Sequence, residues 1–219
     1  DFLVTPDTLV PRPETELLVE HVLESIRSLE TSNAHEANAI DIIDIGTGSG
    51  NIIITLAKEL KTTYSAADIR YQAVDISRGA LDVAAQNAHR HTVSQKIVFQ
   101  ESDLLTNIAP SQMRDRYLII TANLPYLSRD IYLASDPDVR DYEPHSALES
   151  GTDGLDHYTA LLASLGPFIA HTRSTTLFME ISPEQSPLLT QKIKTYFPQA
   201  TYRIIPDLTN RDRLATCLL

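Results

Sequence analysis

Three stretches of the chain combine residue types at spacings that suit chemistry on a bound small molecule. The first is Asp44-Ile45-Gly46-Thr47-Gly48-Ser49-Gly50. Glycines alternating behind an apolar run let main chain approach a ligand closely, and a helix starting there would aim its first N–H groups at it. The second is a pair of carboxylates behind later apolar runs. Asp75 can accept hydrogen bonds from two ribose hydroxyls, and Asp103, followed by Leu104, would stand beside the amino group of an adenine. The third is Asn123-Leu124-Pro125-Tyr126. It offers a side-chain amide oxygen, a backbone carbonyl in a turn made rigid by proline, and an aromatic face. Two acceptors and a ring suit a planar NH2 group, which has two hydrogens to donate. Each stretch also has a plainer use, as a tight strand–helix turn, a solvated strand end, a helix cap or a surface turn.

These residues act together only if the elements around them converge. Residues 39–45 read as a buried strand that runs into the glycines, with a helix over 51–60 behind them. Further strands are expected over 71–75, 96–100, 117–122 and 175–181. Ser77 suits the N-cap of a helix over 80–91, and helices are expected over 155–170 and from Pro183 to before Pro198. Pro13, Glu14 and Glu16 fit a first helical turn, and Leu17, Leu18, Val22, Leu23 and Ile26 follow at helical spacing. Residues 30–38 read as a loop. Strands over 201–205 and 214–218 leave no room for a helix between them and should pair antiparallel at one edge. The alternation predicts parallel βαβ units, right-handed crossovers and helices on both faces of one sheet. Ligands then bind beyond the carboxyl ends of the strands, where all three stretches fall. The stretch from Ser128 to Gly154 has turn residues and little periodicity, as expected of a long loop over the mouth of such a site.

Composition narrows the class. The 219 residues include 29 acidic and 18 basic side chains, a net charge of −11. That disfavours a generic nucleic-acid binder, which needs a basic stripe to displace phosphate counterions. The length suits one domain. Cys217 is the only cysteine, so no disulfide framework or cysteine metal site can form; it reads as a core residue, and a reducing compartment is the default. The histidines form no zinc pattern, and no metal is expected; His89 and His91 read as surface residues near a helix end. Arg211-Asp212-Arg213 reads as a turn with local ion pairs. Glu180, at a strand end, either organises the site through hydrogen bonds or is structural. No apolar run reaches the ~18 residues that span a bilayer, and the first residues have no signal-peptide pattern.

The G-x-G-x-G spacing is the one that wraps the amino-acid end of S-adenosylmethionine rather than a pyrophosphate. Together with the Asn-Leu-Pro-Tyr tetrapeptide it resembles the signature of amino-methyltransferases that act on planar nitrogens. Pro11-Arg12-Pro13-Glu14-Thr15-Glu16 upstream, and Tyr142-Glu143-Pro144, Ala147-Leu148 and Gly151-Thr152-Asp153-Gly154-Leu155 downstream, make nearly the whole chain similar to the release-factor glutamine N5-methyltransferases (the HemK/PrmC family). The resemblance implies a Rossmann-like class I S-adenosylmethionine-dependent methyltransferase fold, with a seven-stranded, mostly parallel sheet and an antiparallel edge strand. It implies methylation of the glutamine in the Gly-Gly-Gln motif of a peptide chain release factor. Gly46, Thr47, Gly48, Ser49, Gly50, Asp75, Asp103, Leu104 and Asn123 would hold the cofactor. Asn123, Leu124, Pro125 and Tyr126 would hold the substrate, with Asn123, Pro125 and Tyr126 catalytic. Leu124 stands where the family has its first proline, which keeps the carbonyl and leaves the turn less rigid. The family's small helical domain, which helps hold the release factor, is expected to lie outside this chain, so residues 1–219 correspond to the catalytic domain. A cytoplasmic monomer without membrane or direct nucleic-acid contact is expected, a mitochondrial form being the other placement. The rRNA adenine methyltransferases share the fold and the Asn-Leu-Pro-Tyr form and are the alternative. They lack the Pro-Arg-Pro-Glu run and carry a basic appendage, against a net charge of −11 here.

Overall fold

Ile40, Ile42, Ile43 and Ile45 leave the first strand no polar face, so it must lie inside a sheet covered on both sides. In the computed structural model, which describes residues 1–32, 39–63, 68–137 and 143–219, every residue of β1 (Ala39–Ile45) after Ala39 is buried. β1 pairs in parallel with β2 (Asp68–Asp75) and β4 (Tyr117–Ala122). β3 (Ile97–Glu101) extends the sheet beyond β2, and β5 (Ser174–Glu180) extends it beyond β4. The strand order is β3-β2-β1-β4-β5-β7-β6. It reverses direction between β1 and β4, where doubly wound sheets open a crevice at the strand ends. β6 (Thr201–Pro206) and β7 (Asp212–Leu218) form the expected antiparallel pair at the edge. β7 slots between β5 and β6 and runs antiparallel to both.

Helices cover both faces. α1 (Thr15–Ser32), α2 (Asn51–Thr63) and α3 (Arg78–Arg90) pack with Ile40, Ile42, Ile119 and Phe178. After α4 (Arg129–Leu133), α5 (Asp156–Ser164), α6 (Gly166–Ile169) and α7 (Ser186–Tyr196) pack with Ile43, Ile45, Ile120 and Met179. Alternate β1 isoleucines thus feed opposite layers, each worth about 1.5–3 kcal/mol when fully buried. A one-residue slip would exchange the two sets, so register is strongly held.

Several boundaries differ from the sequence expectation, each for a local reason. α1 continues through Ser32, into the stretch expected as loop; residues 33–38 of that stretch lie outside the described ones. The helix expected over 155–170 breaks at Leu165, where Gly166-Pro167 starts α6, because proline cannot donate to the preceding turn. Pro183–Gln185 is a 3-10 turn closed by a Ser182–Gln185 capping box before α7 begins. β2 starts three residues earlier than expected, at Asp68. There Arg70 grips the buried Asp41 of β1 through two 2.5 Å bonds, and Arg116 adds a third at 2.9 Å. Asp41 lies at the amino end of the sheet, away from the crevice. Ser77 caps α3 as expected, accepting from the Ala80 N–H at 3.2 Å. His91 is not a free surface group: its ring stacks on Phe2 at 4.7 Å. Arg213 pairs with Asp207 at 3.4 Å, so the ion pair of that turn is not made by the neighbouring Asp212. Cys217 is fully buried, as expected. Among the described residues no helix is long and apolar enough to cross a membrane.

Candidate active site

The glycine loop leaves β1 with Gly46, Gly48 and Gly50 at φ of +66°, +54° and +78°. Glycine adopts this left-handed region without steric cost. A Cβ on Gly46 would stand 2.8 Å from Leu124 Cδ2, and one on Gly50 would stand 2.9 Å from Ile54 Cδ1 and 3.1 Å from Ala84 Cβ. The loop is therefore wedged between the turn after β4 and the helices α2 and α3. Beneath it, the fully buried Asp44 accepts from the hydroxyls of Thr47 at 2.6 Å and Thr121 at 2.7 Å. Burial pushes its carboxyl up to about 6, against the pull of those two hydroxyls. Asp75, at the end of β2, accepts from the N–H groups of Gly48 and Ser77, both at 2.9 Å. Burial raises its pKa, while those two N–H groups act in the opposite direction. A carboxylate offers about four acceptor sites, so Asp75 keeps capacity for hydroxyls of a ligand.

A cleft runs over the carboxyl ends of the first four strands. Gly46 and Gly48, Asp75, Asp103 and Leu104, and Asn123, Leu124 and Pro125 all line it. The expected residues are thus brought together, with three exceptions. Thr47, Ser49 and Gly50 do not line the cleft but shape the loop from below; Thr47 and Ser49 are buried. Leu104 has φ +48°, a conformation that costs a non-glycine residue about 1–2 kcal/mol and that clusters at functional sites. Thr8 and Leu9 also line the cleft, which sequence reasoning missed because their segment has no periodicity. Asn87 of α3 holds that segment. It accepts from the Leu3 N–H at 2.7 Å and donates to the carbonyls of Leu3 and Ser49, both at 2.9 Å.

Asn123 opens from the cleft into a second, adjoining pocket, lined by Leu9, Arg12, Tyr126, Leu127 and Leu148. The tetrapeptide turn is clamped from outside. The Leu124 N–H donates to Tyr158 Oη at 3.3 Å, and that hydroxyl faces the carbonyls of Ala122 and Glu180. Gln185 Nε2 donates to the carbonyls of Tyr126 and Gly154, both at 2.8 Å. These contacts stiffen a turn that lacks the family's first proline. Burial, helped by the charge of Glu180, pushes the Tyr126 hydroxyl up to about 12, so it stays protonated.

The downstream motifs find their physical reasons here. Gly154 has φ +74°, and a Cβ would lie 2.3 Å from the Tyr126 carbonyl oxygen. Leu127 and Ser150 exchange backbone hydrogen bonds with the 127–150 stretch: the Leu127 N–H donates to Leu148 and the Ser150 N–H to Leu127, both at 2.9 Å. The expected long loop is therefore fastened to the turn and contains α4. Arg12 of the upstream motif pairs with the buried Glu143; Tyr142 lies outside the described residues.

The most informative polar atoms sit on Asn123. Its Nδ2 donates to Thr15 Oγ1 at 3.3 Å. Its Oδ1 is buried and has no hydrogen-bond partner among the described residues. Glu180, 2% exposed at the end of β5, takes hydrogen bonds from Thr15 and Asn123, yet burial still pushes its carboxyl up to about 6. Among the described residues no group of three His, Cys, Asp or Glu side chains is placed to hold a metal ion.

A family described as a methyltransferase domain matches residues 36–140. The N-terminal domain of human METTL16, solved in complex with SAH, is 13% identical with a TM-score of 0.62, over 100% of this chain and 75% of that one; at that identity it supports the class I methyltransferase fold alone. A release factor glutamine methyltransferase of Nitratidesulfovibrio vulgaris is 42% identical over 163 residues, 74% of this chain and 49% of the relative. The chain thus spans about half the length of that relative. The release factor glutamine methyltransferase of Bacillus subtilis is 33% identical over 219 residues, covering 100% of this chain and 70% of its own length. With that match along its entire length, the chain belongs to the release factor glutamine methyltransferase family.

Proposed function

We propose that this chain transfers a methyl group from S-adenosylmethionine to the side-chain amide nitrogen of the glutamine in the Gly-Gly-Gln motif of a peptide chain release factor. The observation that carries the proposal is the buried, unpartnered Oδ1 of Asn123, placed where the cleft meets the second pocket. An orphaned buried acceptor costs about 1–3 kcal/mol, and an incoming NH2 group would satisfy it. The names of the family's relatives support the substrate.

The residues present fit the cofactor. The three left-handed glycines leave a cradle that a Cβ would fill or distort, and Asp75 retains acceptor capacity for its ribose. Ile76 and Leu104 offer apolar surface in the same cleft, and Asp103 would take the adenine amino group. The cofactor, when bound, supplies an electrophilic methyl on a sulfonium.

An amide nitrogen is a poor nucleophile because its lone pair is delocalised into the carbonyl. The chain's task is to orient it and to stabilise the positive charge that grows on it. Asn123 Oδ1 and the Leu124 carbonyl would accept its two N–H groups, which become stronger donors as that charge develops. Tyr126 would fix the amide plane, and Pro125 would hold the Leu124 carbonyl in place. The nitrogen gains a bond to carbon and loses one proton to water.

The experiment is transfer of labelled methyl from S-adenosylmethionine, offered a purified release factor and ribosomal RNA separately. Label on the glutamine of the Gly-Gly-Gln loop is the expected result. Label on rRNA adenine with an unmodified release factor would overturn the proposal.

A further inference from the structure

A side-chain amide can present either its oxygen or its NH2 to a ligand, and the choice is set by what lies behind it. Behind Asn123 stand Thr15 and Glu180. Thr15 is the first residue of α1 and is buried. Glu180 ends β5, the strand paired in parallel with β4, where Ala122 lies opposite Met179. The residues that follow this pair are Asn123 and Glu180.

The hydrogen-bond directions in this trio are fixed by chemistry. A carboxylate only accepts, so both Thr15 and Asn123 donate to Glu180. Having given its single proton to Glu180, the Thr15 hydroxyl can only accept from Asn123, and Asn123 Nδ2 lies 3.3 Å from it. Both partners therefore demand the NH2 of Asn123, and its Oδ1 is the atom left without a partner. The opposite flip would set Oδ1 against the Glu180 carboxylate, acceptor against acceptor in a buried site, which is strongly unfavourable.

We infer that Thr15 and Glu180 are positioning residues that lock the Asn123 carboxamide with its oxygen toward the substrate amide. The inference rests on the proposed glutamine substrate for its kinetic consequence, but not for the state of Asn123 itself. It gives the Pro-Arg-Pro-Glu-Thr-Glu run a part in the chemistry: its threonine, far upstream in sequence, supplies one wall of the acceptor. The Tyr126 and Tyr158 hydroxyls and the charges of Glu14 and Arg213 surround the same carboxylate. None of these is assigned the NH2 of Asn123.

The test uses Thr15→Val, Thr15→Ser and Glu180→Gln in the full chain. Valine keeps the shape of threonine and removes the hydroxyl. Glutamine at 180 presents an NH2 that can pair with Asn123 Oδ1 and so permits the flip. Affinity for S-adenosylhomocysteine is measured by calorimetry. The side-chain NH2 resonances of Asn123, assigned with Asn123→Asp, are followed by NMR. Methyl transfer to the release factor gives kcat and KM.

In Thr15→Val and Glu180→Gln the Asn123 NH2 resonances should move clearly, kcat should fall tenfold or more, and S-adenosylhomocysteine affinity should stay within about threefold of the parent. Thr15→Ser should recover most of the kcat lost in Thr15→Val. Unmoved resonances in both variants would overturn the inference. So would an equal loss in Thr15→Ser and Thr15→Val, or loss of S-adenosylhomocysteine binding in step with kcat, since these mark a structural role. If the parent chain transfers nothing to the release factor, the proposed function fails, while the resonances still decide the state of Asn123.

Discussion

Replacing Gly154 with alanine should damage both stability and transfer, although Gly154 lies in neither pocket. The backbone there has φ +74°, and an added Cβ would stand 2.3 Å from the Tyr126 carbonyl oxygen and 2.6 Å from Gln185 Nε2. A left-handed non-glycine residue costs about 1–2 kcal/mol. Both 2.8 Å bonds from Gln185, to Tyr126 and to Gly154, must stretch to relieve the clash. Each is worth about 1 kcal/mol net. The expected destabilisation is therefore about 2–4 kcal/mol. A chain of this size shifts by about 2–4 °C per kcal/mol, so Tm should fall by about 4–16 °C. The turn carrying Tyr126 is the part that must yield, so transfer at a temperature where the variant remains folded should drop several-fold. Gly166→Ala is the internal comparison: nothing lies within 4 Å of its added Cβ, and glycine to alanine in a compatible helical position is neutral or gains up to about 1 kcal/mol. Thermal unfolding followed by circular dichroism, with transfer measured alongside, checks both. Equal Tm values for the two variants, with full activity in Gly154→Ala, would refute the account of the downstream motif as a buttress.

Two further outcomes follow from buried charges. Arg12→Ala leaves the Glu143 carboxylate, whose side chain is 8% exposed, without its cation, whereas Glu143→Gln leaves a neutral amide; urea unfolding should show Arg12→Ala as the more destabilised, and the reverse order would contradict the pairing. Asp44→Asn should gain stability relative to the parent as pH rises. The folded-state pKa of Asp44 is about 6, above its ordinary 3.8, so its contribution is fully present below about 4 and is lost as pH climbs through about 6. A two-unit difference corresponds to roughly 3 kcal/mol. Chemical unfolding at intervals from pH 4 to 7 should show that gap opening, and a flat difference would rule out the burial of an ionising Asp44.

Much of the fold was readable because its signals are local. The isoleucines of β1 and the glycines behind them can only sit inside a covered sheet and at a tight turn, and the ends of β2 and β4 deliver Asp75 and Asn123 to the same edge by topology. What was not readable depends on contacts across the chain. Thr15 looked like an ordinary residue of a first helical turn, yet it meets Asn123 because α1 packs against the sheet beside β5. Gln185 looked like helix surface, but the 3-10 turn before α7 aims it at Tyr126. Thr8 and Leu9 carry no pattern and reach the cleft only because Asn87 holds the segment that precedes them. Asp41 and Asp44 lie three residues apart in one strand and were indistinguishable in sequence. One meets two arginines at the foot of the sheet, and the other meets two hydroxyls beneath the glycine loop.

The central claim is that Asn123 Oδ1 receives the amide that is methylated. Its most direct measurement is single-turnover methyl transfer to a release factor bearing the Gly-Gly-Gln loop, comparing the parent chain with Asn123→Ala under saturating S-adenosylmethionine. Loss of one preorganised partner of a developing charge typically lowers kcat by about 10²–10³. The account predicts a loss of that size with the glutamine as the modified residue in the parent. Equal single-turnover rates in the two proteins would contradict it.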